Sequence, residues 1–109
     1  MNKVYVTQEV LGRNITPARK YGELIQLFPA EAQVVISSVP TVRKLKRMLS
    51  RFGDGDHLLL SGDPIIMGLS MMAAADVNNG VLTLLKWDRQ DKEYYPVKVD
   101  FYEKGKINV

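Results

Sequence analysis

Three short apolar runs, "KVYV", "QVVIS" and "HLLL", are each followed, directly or after a loop, by a segment with helical spacing of its apolar side chains. Two parallel strands cannot be joined by a tight turn. They need a crossover of a dozen or more residues, and a helix supplies it most economically. Alternation of this kind therefore implies a mainly parallel sheet with right-handed connections and helices on its faces. Runs with almost no polar residue also suit strands covered on both sides.

The boundaries follow from local chemistry. Strand one is expected over Lys3–Val10, rich in β-branched and aromatic residues. Thr16-Pro17 opens a first helix, in which Tyr21, Leu24, Ile25 and Phe28 make one apolar stripe that Pro29 ends. Strand two is expected at Gln33–Ser37. A second helix begins within Ser38–Thr41, keeps Val42, Leu45, Met48, Leu49 and Phe52 on one side, and stops at "GDGD". Strand three is "HLLLSGD". A third helix, "PIIMGLSMMAAADVNN", is closed by Asn79-Gly80 as a left-handed cap. Strand four spans Val81–Trp87 and strand five Tyr94–Tyr102, the two forming an antiparallel hairpin with Pro96 at the sheet edge.

The order is β-α-β-α-β-α-β-β. It predicts a single α/β domain over 1–109, a small Rossmann-like three-layer α/β/α sandwich with a mainly parallel sheet and an antiparallel edge hairpin. Strand order 2-1-3-4-5 is favoured over 3-2-1-4-5. Residues 103–109 read as a loosely held tail.

Several chemistries are excluded at once. The chain has no cysteine and one histidine, so thiolate nucleophiles, disulfides and zinc sites of the usual kinds are not available. His57 is expected in the turn before strand three, and no metal or cofactor is expected. There is no glycine-rich dinucleotide fingerprint and no P-loop lysine. "MNKVYVTQEV" is not a signal peptide, and the longest apolar stretch, Pro64–Ala75, is too short to cross a bilayer, so an intracellular protein without membrane contact is expected.

Three places could carry function. In open parallel sheets ligands gather beyond the carboxyl ends of the strands. Thr7, Ser37, Ser38, Ser61, Gly62 and Asp63 are expected there, a candidate small-ligand site of nucleotide-like size. Against it stands Asp63, which as N-cap of the third helix would occupy the free N–H groups and repel a bare phosphate. Ser61-Gly62-Asp63-Pro64 then needs no ligand to explain it. The second place is the basic side of the second helix, Arg43, Lys44, Arg47 and Arg51 with Lys46, in a segment without an acid. It is either a solvated face or a contact for nucleic acid or an acidic protein. The third is a pair of surfaces: Met71 and Met72, adjacent and so unable to share a helix face, offer a homodimer contact, while Trp87 and Arg89 in the hairpin have interface composition. Core packing explains each of these equally well. Nothing pairs a nucleophile with a base, so binding is expected in preference to turnover.

"GDP" leading into an apolar helix, then "ADVNNG" and "LLKWDRQDKEYYPV", resembles a family of small proteins of unassigned activity from T7-like tailed bacteriophages, the marine podovirus type above all. The similarity runs from "KVYVTQE" through "YYPVKV" and is strongest at Gly62-Asp63-Pro64 and Leu85–Arg89. It implies a phage-encoded accessory protein acting on host or phage machinery in the cytoplasm of the infected bacterium. It transfers no catalytic residue.

Overall fold

The computed structural model describes residues 2–34 and 36–103. The elements are β1 (Lys3–Val6), a 3-10 helix (Thr16–Tyr21), β2 (Glu23–Gln26), α1 (Val39–Met48), β3 (His57–Leu59), α2 (Pro64–Val77), β4 (Val81–Asp88) and β5 (Glu93–Asp100). They build one five-stranded sheet in the order β2-β1-β3-β4-β5, parallel except for the β4–β5 hairpin. This is the mixed α/β sheet that the alternation predicts, in the favoured order 2-1-3-4-5, although the second strand is a different segment from the one expected. The expected tail falls almost wholly on 104–109, outside the described residues.

Side chains leave the sheet in two directions. Tyr5, Leu58 and Leu82 join a core with Leu45, Leu49 and Phe52 from α1 and its C-terminal turn and with Ile66 and Ala74 from α2. Val4, Val6, Leu59, Leu85 and Tyr94 face the other way and meet Ala18 of the 3-10 helix. Both α-helices thus lie on one face, and the 3-10 helix covers part of the other. Tyr21 at its end donates a hydrogen bond to the Tyr94 carbonyl at 2.7 Å, and Lys20 pairs with Glu93 at 3.2 Å, fastening it to β5.

Two expected elements are displaced. The first helix is not an α-helix through Phe28 but six residues of 3-10 helix, and Glu23–Gln26 is the second strand. Leu24 and Ile25 pass to opposite faces of the sheet, and a strand buried on both sides places apolar residues as densely as a helical stripe does. Gly22 decides between them. Its φ is +153°, and a Cβ there would stand 2.6 Å from the Asn2 carbonyl oxygen, so the chain turns hard against β1 and pairs with it. Gln33–Ser37, expected as strand two, forms no strand among its described residues, and Ile36 is 97% exposed. The edge of β1 it would have used is taken by β2.

β1 is also shorter than expected. Beyond Val6 the ladder continues as single bonds, Leu27 N–H to the Val6 carbonyl at 2.8 Å and Glu9 N–H to the Phe28 carbonyl at 2.9 Å. His57 is the first residue of β3, opposite Val4, and not part of a turn. α2 follows its signals closely. Asp63 caps it, its carboxylate accepting from Ile65 N–H at 2.7 Å, with Pro64 at the first position. Asn79 and Gly80 both take left-handed backbone after its last turn, and Gly80 N–H closes onto the Ala75 carbonyl at 2.7 Å.

Candidate functional site

The carboxyl ends of β1 and β3 form a closed polar cluster. Thr7 Oγ1 donates to the Ser61 carbonyl at 2.6 Å and accepts from Ser61 N–H at 2.8 Å, so one buried hydroxyl satisfies both backbone groups of its neighbour. The Ser61 hydroxyl in turn donates to the Gln8 carbonyl. Gln8 is the organiser. Its Oε1 accepts from Asp63 N–H at 2.7 Å, and its Nε2 donates into the carbonyls of Pro29, Ala30 and Ala32 at 3.1, 3.3 and 2.8 Å. One side chain therefore ties the start of α2 to the segment that follows β2.

Gly62 belongs to the same arrangement. Its φ is +90°, and a Cβ there would stand 2.5 Å from Gln8 Cβ and closer still to Oε1. The close approach that a glycine at this junction permits is thus made by Gln8, an internal side chain. The cavity beside the cluster, reached by Glu9, Arg13 and Gln26, has a volume of about 120 Å³. Pockets that enclose drug-sized ligands start near 300 Å³. Of the six residues expected at this edge, Thr7, Ser61, Gly62 and Asp63 come together. Ser37 and Ser38 do not. They stand at the exposed start of α1, Ser38 in the N-cap position and Ser37 Oγ accepting from Val39 N–H at 3.3 Å.

α1 presents the second candidate. Thr41, Leu45 and Leu49 are buried, whereas Arg43, Lys46, Arg47 and Arg51 are exposed. The ion pairs among the described residues, Lys3–Glu23 and Lys20–Glu93, involve none of these cations. Lys44 differs from the rest of the expected basic set. Its ammonium lies 4.3 Å from the centroid of the Phe28 ring, on the flank of α1 away from Lys46, where the ring face attracts it.

Beside α1 runs an open groove of about 720 Å³, bounded by α1, α2 and the end of β5. Val42 and Lys46 line it from α1, Leu69 and Met72 from α2, and Phe101 and Tyr102 from the turn after β5. Met72 is 69% exposed, Phe101 77% and Tyr102 72%. Met71, one residue away, is half-buried against the core and lines the same groove more deeply, so the two adjacent methionines share this surface. The Tyr102 ring sits where a Cβ of Gly80 would be, 2.5 Å from that position. Only glycine at the end of α2 lets this ring close over the helix terminus.

Trp87 and Arg89 do not join Met72 in one surface. Trp87 packs across the hairpin on Tyr94, ring centroids 4.9 Å apart and edge-on, on the sheet face opposite the α-helices. Arg89 lies exposed in the turn that Asp88 stabilises by accepting from Gln90 N–H at 2.9 Å. A smaller hollow of about 310 Å³ near Trp87 and Arg13 is also present.

His57 is half-buried against the Tyr21 ring, 5.2 Å between centroids, and its Nδ1 has no hydrogen-bond partner among the described residues. Burial holds its pKa below the usual histidine value, opposed only in part by the neighbouring Asp56 carboxylate. Among the described residues no group of three or more His, Asp or Glu is placed to hold a metal ion. None of their helices is long and apolar enough to cross a membrane.

Sequence reasoning missed Gln8 and the groove. Gln8 carries no local signal, because its partners lie 21 to 55 residues away. Phe101 and Tyr102 were expected as the last residues of strand five, but β5 stops at Asp100 and both lie in the turn after it, as one wall of the groove.

The model of the Phage Pam3 gp32-like protein family matches residues 2–101. Comparison with curated proteins finds no match, and comparison with solved structures finds none.

Proposed function

The chain belongs to the Phage Pam3 gp32-like protein family, and from that premise we propose that it is a phage accessory protein that binds an anionic macromolecule without chemical turnover. The reading places it in the cytoplasm of the infected bacterium, acting on host or phage machinery. Gly62-Asp63-Pro64 and Leu85–Arg89 support placing it with T7-like phages in particular. The observation that carries the reading is the exposed side of α1, where Arg43, Lys46, Arg47 and Arg51 have no acidic partner among the described residues. The sequence between Glu31 and Asp54 contains no acid at all. An unneutralised row of this kind steers and orients a partner of opposite sign, and does so less as salt rises.

The strand-end cluster supports binding over catalysis in a negative way. Its hydroxyls and its amide are engaged with backbone groups of the same cluster, which leaves no free nucleophile for a base to activate. A nucleotide-like ligand at that edge would have to displace these bonds and fit beside Asp63.

The test is recovery of partners from a bacterial lysate with the wild-type protein and with Arg43→Glu combined with Arg47→Glu. Recovery by the wild type should fall at high salt, and the double variant should lose it at low salt. Equal recovery by the two proteins removes the basic face from the function.

A further inference from the structure

We propose that the groove between α1, α2 and the end of β5 is the docking site for an acidic amphipathic helix of a partner protein. This rests on the basic-face reading and adds the class of partner and the way it is held. The groove and the cations are one continuous surface. Lys46 lines the groove itself, and Arg43 and Arg47 follow it round the exposed side of the helix. An occupant therefore meets apolar side chains and positive charge together. A helix with leucine, methionine or phenylalanine on one stripe and carboxylates beside it matches both, which is the helix-in-groove mode of recognition.

Charge decides among the possible occupants. A second copy of this chain would bring the same basic α1 to the same rim, cations against cations. The chain's own segment from Lys104 to Val109 carries two lysines and no acidic side chain, again the wrong sign. Nucleic acid would satisfy the cations but would leave Met72 and Phe101 exposed, and would set phosphates against Asp76 on the α2 side of the groove. Asp76 also gives the partner a direction. Its carboxylates belong on the α1 flank only, because on the other flank they would face Asp76.

The experiment uses the full chain and synthetic fluorescein-labelled helices followed by anisotropy. One peptide carries a leucine stripe with glutamates on one flank, a second has glutamates on both flanks, and a third has lysines in their place. The one-flank acidic peptide should bind about tenfold tighter than the lysine peptide, because the rim charge sets the preference. It should also bind more tightly than the two-flank peptide. Met72→Gln, a change at an exposed position, should weaken it about tenfold by removing a central apolar contact. Arg43→Glu with Lys46→Glu should reverse the order of the acidic and basic peptides.

Equal binding of the acidic and basic peptides, or binding that ignores Met72→Gln, overturns the proposal. So does a dimer in light scattering that Met72→Gln dissociates, which would give the groove to a second copy. Acidic-peptide binding that strengthens about tenfold in Ile107→Ser with Val109→Ser would give it to the chain's own end. Tight binding of labelled duplex DNA, sensitive to Arg43→Glu with Arg47→Glu while the acidic peptide fails to bind, removes the groove and leaves the basic-face reading intact. Failure of the peptide together with an unchanged lysate recovery removes both.

Discussion

The ends of β1 and β3 and the groove beside α1 treat their surface chemistry in opposite ways. At the strand ends, polar atoms that could have met a ligand are turned on each other, and Thr7, Gln8 and Ser61 are almost wholly buried. At the groove, apolar side chains that could have been buried are left facing outward, with cations along their rim. The topology alone would favour the first place as a site, since ligands of open parallel sheets bind at the switch between β1 and β3. Here that position holds the fold together.

The contrast is broken most directly at Gly62. An alanine there must hold φ near +90° and drive its Cβ into Gln8. Strain plus overpacking should cost about 2–4 kcal/mol in urea unfolding. Acidic-peptide binding by the remaining folded protein should not change. If Gly62→Ala were as stable as wild type, Gln8 would not be fixed in the turn and the cluster would be open to a ligand after all.

Thr7→Val tests the same cluster without changing its shape. The valine cannot accept from Ser61 N–H or donate to the Ser61 carbonyl, and both groups are left buried. Leaving a buried pair unsatisfied should cost about 2–3 kcal/mol. A loss near zero would mean that water reaches Ser61, and so that the edge is not closed. Asp63→Ala should cost less, about 1 kcal/mol, because it removes one cap bond at a more accessible position. Asp63→Asn should recover most of that, and equal losses in the two variants would show that charge and not capping matters there.

These differences explain what could be read in advance. Asp63-Pro64, Asn79-Gly80 and the basic side of α1 are local chemistry, complete within a few residues, and each stands where its residues indicate. The second strand was not legible, because Leu24 and Ile25 satisfy a helical stripe and a doubly buried strand alike. The choice is made by Gly22 pressing on Asn2, a contact between distant parts of the chain. The groove fails for the same reason. Val42, Met72 and Phe101 come from three elements, and nothing in their spacing announces that they share a wall.

His57 differs from the strand-end cluster, since its Nδ1 is a buried polar atom without a hydrogen-bond partner among the described residues. Its pKa is lowered in the folded protein by burial, so the unfolded chain takes up the proton first. Stability contributed by the neutral ring is then full above the unfolded value of about 6.5 and is lost as pH falls from there toward the lower folded value. Wild type should therefore lose more urea resistance between pH 7 and pH 5 than His57→Gln does. Identical losses in the two proteins would mean that the ring is freely solvated and that its burial has no energetic consequence.

Met72→Gln should have the smallest effect on stability and is the most informative about the groove. The side chain is 69% exposed, so it contributes little to the core, and a surface change of this kind stays within about 0.5 kcal/mol of wild type. If unfolding showed a loss of about 2 kcal/mol instead, the methionine would be packing against this chain in solution. The groove would then be filled from within and not waiting for a partner. An unchanged unfolding curve beside a tenfold loss of acidic-peptide binding separates the two regions cleanly. The strand ends would answer only to stability and the groove only to binding.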